Sequence, residues 1–143
     1  MSAASAEIRI GAELASAPYL CDAAAAKAYH DGIERPVRRR QSGNIHDDRD
    51  AARKAGFTAP IAGGEQTVAI VAQFLADEFG MRFVRGGRIE VSLTRAVLYG
   101  DTLTSHAKIV SIDADRAQLE IDVENQRGEK VLTGTAAVRT HDA

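Results

Sequence analysis

The spacing of apolar residues between positions 64 and 79 predicts a long helix. Apolar side chains recur there three and four residues apart, which is the period of an amphipathic helix. The apolar stripe consists of Val68, Val71, Ala72, Leu75 and Phe79, widened by Ile70 and Phe74. The narrow polar face consists of Gln66, Gln73 and Asp77. We therefore predict a helix over Gly64–Phe79 that is buried on most sides and ends at Gly80.

Beyond residue 88 the chain consists of alternating apolar and polar stretches and of mixed stretches rich in β-branched residues, which predict β-strands. The predicted strands are Arg88–Val97, Thr102–Ile112, Leu119–Val123 and Lys130–Thr140. Turns at Asp113–Arg116 and Gln126–Glu129 are short enough for hairpins, so we expect the strands to pair as an antiparallel meander. One face of such a sheet needs a cover. The pattern therefore predicts an α+β fold in which the sheet wraps around the long helix.

The N-terminal part of the chain predicts shorter elements. Weak alternation over Glu7–Leu14 predicts an edge strand, and the alanine-rich stretch Cys21–His30 predicts a helix that ends near Gly32. The stretch Ile33–Ser42 shows neither the apolar period of a helix nor that of a strand, so we predict an ordered loop there.

A short helix is predicted after this loop. The Asp48 carboxylate can accept hydrogen bonds from the free amides of a first turn, which predicts an N-cap for Arg49–Ala55, and Gly56 suits the position after the helix end.

Composition places the chain among globular proteins of one domain. It has 143 residues, of which 45% are hydrophobic, and we expect one domain over residues 1–143. The net charge of −2 gives no general attraction for nucleic acid or an anionic membrane. Neither a membrane span nor a secretory signal is recognisable, so we expect a cytoplasmic protein.

The cysteine, histidine and glycine patterns argue against a bound cofactor. Cys21 is the single cysteine, which excludes an intrachain disulfide, and the four histidines form no cluster at zinc spacing. The Gly63-Gly64 pair lacks the preceding strand of a dinucleotide fingerprint. We therefore expect no metal, nicotinamide or flavin.

Five blocks of sequence, in order and at matching spacing, resemble the MaoC-like hydratases. The blocks are Asn44-Ile45-His46-Asp47-Asp48, Ala52-Arg53-Lys54-Ala55-Gly56-Phe57, Pro60-Ile61-Ala62-Gly63-Gly64, Tyr99-Gly100-Asp101-Thr102-Leu103 and Asn125-Gln126-Arg127-Gly128-Glu129. These are hot-dog fold proteins related to the (R)-specific enoyl-CoA hydratases. The resemblance implies a central helix gripped by a curved antiparallel sheet, and usually a dimer with acyl thioester sites near the subunit interface.

The hydratase signature of that family implies a site for adding water across a 2,3-double bond. An aspartate and a histidine activate the water there, and a backbone amide at the start of the central helix receives the thioester oxygen. His46 matches the histidine and Gly64 the oxyanion glycine. Counted without a gap, Gln41 stands at the position of the aspartate and Gly43 at that of the asparagine; with a gap, Asn44 matches the asparagine. Either alignment leaves the catalytic aspartate missing.

Glu65 is the candidate to replace the missing carboxylate. It lies in the first turn of the predicted long helix, one residue after Gly64. A favourable interaction with the helix N-terminus explains this position equally well. Some hot-dog thioesterases resemble this arrangement, with an acidic residue on the central helix that directs water, so thioester hydrolysis stays open.

Further residues are candidates for substrate binding. They are Gln41, Asn44, Gly63, Gln66 and, within the basic run Arg38-Arg39-Arg40, Arg40. Arginine side chains could bind the phosphates of coenzyme A, although a solvated basic loop explains the run as well. Gln66 could bind substrate or merely satisfy the first helical turn.

The resemblance, with the residues that match it, implies a lyase of the hydratase/dehydratase type that acts on an acyl-CoA thioester or a related conjugated carbonyl compound. His46 would act as acid or base, the Gly64 N–H as oxyanion donor and Glu65 as the second catalytic group. Coenzyme A would enter only as part of the substrate, and the expected partner is a second copy of the chain. The alternatives are an acyl-CoA thioesterase that uses Glu65 and a non-catalytic subunit of a hydratase complex.

Overall fold

Helices occupy most of the first part of the chain and strands most of the rest. The computed structural model describes residues 6–33 and 43–142, so most of the predicted loop, with Arg40 and Gln41, lies outside the described residues. The elements are β1 (Glu13–Ala15), β2 (Tyr19–Cys21), α1 (Ala23–Ile33), α2 (Arg49–Lys54), α3 (Gly64–Phe79), α4 (Met81–Val84), β3 (Arg88–Leu93), β4 (Asp101–Asp113), β5 (Arg116–Glu124) and β6 (Lys130–Arg139).

The strands form an antiparallel sheet in the order β1-β4-β5-β6-β3, and β2 also pairs with β4. Strands β4, β5 and β6 follow one another as the predicted hairpins, with Asp113 opposite Arg116 at the first turn. The meander prediction is wrong for β3, which lies beside β6. The free edge of β4, which a plain meander would leave for β3, is occupied by β1 and β2.

Strand β3 approaches β6 closely at a glycine. A Cβ atom added to Gly134 would lie 2.1 Å from the carbonyl oxygen of Glu90 and 2.8 Å from the Cα of Val91. Any side chain at this position would push the two backbones apart. Gly134 therefore permits the pairing that makes β3 an edge of the sheet.

Helix α3 has the predicted bounds and packs against the sheet. Its Val71, Leu75 and Phe79 side chains are fully buried in a core that includes the inward-facing Leu119 and Val123 of β5.

The prediction that Gln66 belongs to a polar face of α3 is wrong, because this side chain is only 1% exposed. Strand β2 covers that side of α3. The order of apolar and polar residues along one helix contains no information about such a neighbour.

Helix α2 confirms the predicted cap. One carboxylate oxygen of Asp48 accepts from the backbone N–H of Asp50 at 2.8 Å and from that of Ala51 at 2.9 Å. Gly56 follows the C-cap with a φ of 92°, a conformation that favours glycine.

The N-terminal elements differ from the prediction. Strand β1 begins at Glu13, so the predicted strand is wrong over most of Glu7–Leu14. Helix α1 begins two residues later than predicted, because the Asp22 carboxylate caps it by accepting from the N–H of Ala25 at 2.8 Å. The three residues of β2 and the four of α4 are too few to show a period in the sequence.

The complete arrangement is the α+β architecture that the sequence predicted. An antiparallel sheet curves around the central helix α3, which is the hot-dog fold implied by the family resemblance. Within the described residues, no helix is both long and apolar enough to cross a membrane.

Candidate active site

His46 lies in the loop before α2 and is held at both ends of its backbone. The side-chain oxygen of Asn44 accepts from the His46 N–H at 2.9 Å, and the Tyr99 hydroxyl donates to the His46 carbonyl oxygen. The adjacent loop is tied down as well, since the Ile61 N–H donates to the Ile45 carbonyl oxygen at 3.0 Å. The backbone of His46 is therefore fixed by contacts from three segments of the chain.

The His46 ring is also oriented. Its Nδ1 lies 2.8 Å from the carbonyl oxygen of Ile61. Because a carbonyl oxygen can only accept, Nδ1 carries the hydrogen of this bond. In the neutral ring Nε2 is then the nitrogen with the free lone pair, which is the form of histidine that can take a proton.

The N-terminus of α3 lies next to this histidine. Gly63 is the N-cap and has no side chain to cap the helix. Among the described residues, the Gly64 N–H donates to no backbone acceptor. A free amide at the start of a helix can donate to an oxygen that carries negative charge.

His46 and Gly64 line one cavity of about 350 Å³. The remaining wall comes from the Ile61-Ala62 segment, Thr67 of α3 and the Leu93–Val97 segment that leaves β3. A Cβ atom added to Gly64 would lie 2.4 Å from Cδ1 of Leu93, so glycine keeps the start of α3 close to this wall. The cavity thus joins an imidazole and a free helix amide.

Glu65 is not among the described residues that line this cavity. Its carboxylate folds back over the N-cap, since a Cβ atom added to Gly63 would lie 2.9 Å from one of the Glu65 oxygens. Burial raises the pKa of Tyr29, and the charge of Glu65 adds to the effect, so Glu65 acts on the α1 side of the helix. The favourable interaction of its charge with the helix N-terminus accounts for this geometry.

The other predicted binding residues are spread over several places. The Asn44 side chain accepts from the backbone of its own loop. Gln66 points away from His46: its Nε2 lies 3.4 Å from the Tyr19 hydroxyl oxygen and 3.8 Å from the Cys21 sulfur. Gln41 and Arg40 lie outside the described residues. The structure therefore brings together His46 and Gly64 from the predicted set.

The sequence analysis missed three contributors to the site. Tyr99 holds the His46 carbonyl, Leu93 covers Gly64, and Arg95 lines the cavity while paired with Glu129 at 3.0 Å. Tyr99 belongs to one of the matching sequence blocks, which was the available signal. The approach of Leu93 and Arg95 depends on the path of the chain after β3, for which the sequence has no local pattern.

One group of described residues on the outer face of the sheet could hold a metal ion. Possible ligand atoms of His106, Asp122 and Glu124 lie within 4.8 Å of one another. Nδ1 of His106 already pairs with Asp122 at 2.9 Å, and Lys130 reaches the other Asp122 oxygen at 3.4 Å. We assign no ion to this group, since the Asp122 carboxylate is already paired with His106 and Lys130.

Comparisons with known proteins agree on the family. The sequence matches the profile of the MaoC like domain over residues 43–131. Comparison with curated protein sequences gives no significant match.

Solved structures with this fold cover almost the whole chain. The R-hydratase PhaJ1 from Pseudomonas aeruginosa superposes with a TM-score of 0.77 at 18% identity, covering 96% of this chain and 84% of that one. A MaoC-like dehydratase from Rhodospirillum rubrum has a TM-score of 0.68 at 27% identity, with 95% and 96% covered. The ChsH1-ChsH2 complex from Mycobacterium tuberculosis contains a chain with a TM-score of 0.71 at 17% identity, with 94% and 100% covered. On the profile match and this fold, the chain belongs to the MaoC-like domain family.

Proposed function

We propose that this protein is a hydro-lyase that adds water to, or removes it from, an acyl thioester conjugated with a 2,3-double bond. The observation that carries the proposal is that His46, whose Nε2 has a free lone pair, and Gly64, whose N–H is free, line the same cavity. A proton-transfer group and an oxyanion donor are the two functions that this reaction needs. The dehydratase and hydratase relatives with the same fold support the same reaction class.

His46 alone can carry the proton through the proposed reaction. Its Nε2 takes a proton from water while the water oxygen bonds to C3, and the electrons of the double bond move onto the thioester oxygen. The Gly64 N–H donates to this negative oxygen, helped by the positive end of α3. The imidazolium then returns the proton to C2, and the carbonyl forms again.

The proposed mechanism leaves Glu65 outside the proton transfers. Its carboxylate lies over Gly63, and Glu65 is not among the described residues that line the His46 cavity. We assign it the role of stabilising the N-terminus of α3. This position also weakens the thioesterase alternative, which needs the Glu65 carboxylate to direct water at the thioester.

Arg95 supports a coenzyme A thioester as the substrate. Arg95 lines the cavity, and its side chain is more than half exposed, with one carboxylate partner at 3.0 Å. An exposed guanidinium on a residue that lines the cavity suits the phosphate groups of coenzyme A, which are anions.

The proposal is tested with trans-2-enoyl-CoA thioesters of short, medium and long chain. We expect the absorbance of the conjugated thioester to disappear without release of free thiol. Replacing His46 with alanine should lower kcat by at least about 100-fold, the usual contribution of a general acid–base group. The matched control is His106→Ala, which alters another half-buried histidine on the outer face of the sheet and should retain activity.

Three outcomes would contradict the proposal. Release of free thiol would favour hydrolysis. Full turnover by a folded His46→Ala protein would remove His46 from the reaction. Absence of any turnover by the folded protein, together with co-purification of a similar chain, would favour the non-catalytic subunit.

A further inference from the structure

A tight turn at residues 98–101 connects the wall of the His46 cavity to strand β4. The Asp101 N–H donates to the Leu98 carbonyl oxygen at 3.0 Å, which closes the turn. Gly100 has a φ of 104°, and the third position of a turn of this kind requires such a positive φ. Tyr99 occupies the second position, so the shape of the turn decides where the Tyr99 side chain lies.

Two of the contacts that hold His46 depend on this turn. The Tyr99 hydroxyl donates to the His46 carbonyl oxygen. Leu98 pairs with Ile61, and the Ile61 carbonyl oxygen lies 2.8 Å from His46 Nδ1. The Tyr99 N–H also donates to the Pro60 carbonyl oxygen at 2.9 Å, which ties the turn to the segment that orients the ring. A change in the shape of the turn would therefore displace both groups that hold His46.

The Asp101 side chain fixes this turn from its last position. Its carboxylate is buried, with only 4% of the side chain exposed. Oδ2 accepts from the Leu98 N–H at 3.0 Å, which is a second hydrogen bond across the same turn. Oδ1 accepts from Nε2 of Gln126 at 2.9 Å, and Nη2 of Arg127 lies 3.4 Å from the same oxygen. The carboxylate therefore joins the turn to the hairpin between β5 and β6.

That hairpin gives Asp101 a fixed partner. The side-chain oxygen of Asn125 accepts from the Arg127 N–H at 2.9 Å, which holds the backbone of the hairpin turn. The Gln126 amide makes two bonds to the start of β4, since its Nε2 donates to Asp101 and its Oε1 accepts from the Thr102 N–H at 3.0 Å. The position of Asp101 is thus set from two separate parts of the sheet.

We propose that Asp101 is a positioning residue for His46, an inference that rests on the proposed hydro-lyase reaction. Asp101 is not among the described residues that line the His46 cavity, so it acts through Tyr99 and Leu98 and not on the substrate. Its carboxylate fixes the turn, and the turn places the Tyr99 hydroxyl and the segment paired with Ile61. Misplacement of a proton-transfer group lowers the rate of reaction even when the substrate still binds.

Steady-state kinetics with trans-2-enoyl-CoA test this role. Asp101→Ala leaves the Leu98 N–H without its side-chain acceptor, and we expect kcat to fall by about 10-fold while KM changes by less than about 2-fold. Asp101→Asn keeps an oxygen that can accept from Leu98 and should bring kcat to within about 3-fold of the unaltered protein. The matched control is Asp122→Ala, which removes another carboxylate with two side-chain partners, on the outer face of the sheet, and should retain kcat.

A double variant separates positioning from a general loss of stability. Because Asp101 acts through the turn that carries Tyr99, Asp101→Ala should lower kcat by less than about 3-fold in a Tyr99→Phe protein. Two independent losses of about 10-fold each would instead multiply to about 100-fold.

The ring of His46 provides a measurement that needs no turnover. Nitrogen-15 NMR of the neutral ring should show the hydrogen on Nδ1, because Nδ1 donates to the Ile61 carbonyl oxygen. The His46→Ala protein assigns this signal among the four histidines. Asp101→Ala should give a mixture of the two tautomers, whereas Asp122→Ala should keep the single form.

The proposal is overturned if the folded Asp101→Ala protein retains kcat or the single tautomer, if its loss multiplies with that of Tyr99→Phe, or if Asp122→Ala has the same effects. Should Asp101→Ala fail to fold, Gln126→Ala replaces it, since it alters an exposed side chain that donates to the same carboxylate. It should lower kcat by about 3-fold at constant KM, and an unchanged kcat would overturn the proposal. An unaltered protein without turnover would contradict the hydro-lyase activity, while the tautomer of His46 would still test Asp101.

Discussion

At the scale of single residues, the geometry of His46 depends on groups that are remote in sequence. Ile61 orients the ring through Nδ1, and Tyr99, 53 positions further along the chain, holds the carbonyl oxygen. The sequence identifies the histidine by its motif. The sequence has no local pattern that predicts the contact of Tyr99 with the same loop, because this contact depends on how the strands are arranged in the folded protein.

Tyr99 is a positioning residue for the proposed reaction, and replacing it with phenylalanine removes only its hydroxyl. We expect kcat to fall by about 10-fold while KM changes by less than about 2-fold, because the hydroxyl holds His46 and does not contact substrate. Steady-state kinetics with the preferred enoyl-CoA measure both values, and thermal unfolding monitors the fold. An increase in KM at unchanged kcat would contradict this role.

Cys21 should be chemically inert in the folded protein. Burial, with additional effects of the Asp101 and Asp22 charges, raises the pKa of this thiol to about 11. At pH 8 only about one thiol in a thousand is then ionised, whereas about a quarter is ionised at the ordinary pKa. We expect iodoacetamide to label the native protein at least about 100-fold more slowly than the protein unfolded in guanidinium chloride.

Because Cys21 is the single cysteine, mass spectrometry of the intact chain reports this one site. Raising the pH toward 11 should accelerate labelling of the folded protein. Rapid labelling at pH 8 would show that the thiol is neither buried nor raised in pKa.

At the scale of elements, local sequence rules predict the helices and hairpins, but they do not predict which elements pack against one another. The bounds of α3 and the cap of α2 follow from the period and from a side chain placed next to free amides. The burial of Gln66 depends instead on β2, a strand too short to be predicted. An amphipathic pattern fixes which residues share a face, but the elements packed against that face decide how many of them are buried.

The cap of α2 should contribute measurable stability to the loop that carries His46. Asp48→Ala should lower the free energy of unfolding by about 1 kcal/mol, because two backbone amides lose their acceptor. The control Asp50→Ala removes an exposed carboxylate that has an ion pair with Arg53 at 3.7 Å, and should change stability by less than about 0.5 kcal/mol. Urea denaturation compares the two, and equal effects would argue against the cap.

At the scale of the whole molecule, β3 is an open edge of the sheet. Within the described residues it pairs with β6 alone, and its last residue, Leu93, is 52% exposed beside the His46 cavity. An unpaired edge strand offers backbone donors and acceptors to another strand. We propose that a second copy of the chain pairs here and completes the wall of the cavity.

Sedimentation equilibrium should therefore give twice the chain mass of 15.3 kDa. Leu93→Asp should shift the protein toward the monomer, because a carboxylate would be buried at the interface without a partner. The control Leu20→Asp changes a similarly exposed leucine, 54% accessible, on β2 at the other end of the sheet. It should leave the dimer intact, and a monomeric unaltered chain would refute the proposed interface.

The sequence by itself determined the features that depend on neighbours within a few residues. These are the period and ends of α3, the Asp48 cap, the hairpins that join β4, β5 and β6, and the motif around His46, because each is set by local hydrogen bonds and side-chain alternation. Only the tertiary structure decided which strand lies beside β6, that Gln66 is buried against β2, that Glu65 is not among the described residues lining the His46 cavity, and that Tyr99 reaches His46. Those relations depend on which distant segments pack against the same edge of the sheet or the same face of α3. Packing of the whole chain decides this, and no local pattern in the sequence reports it.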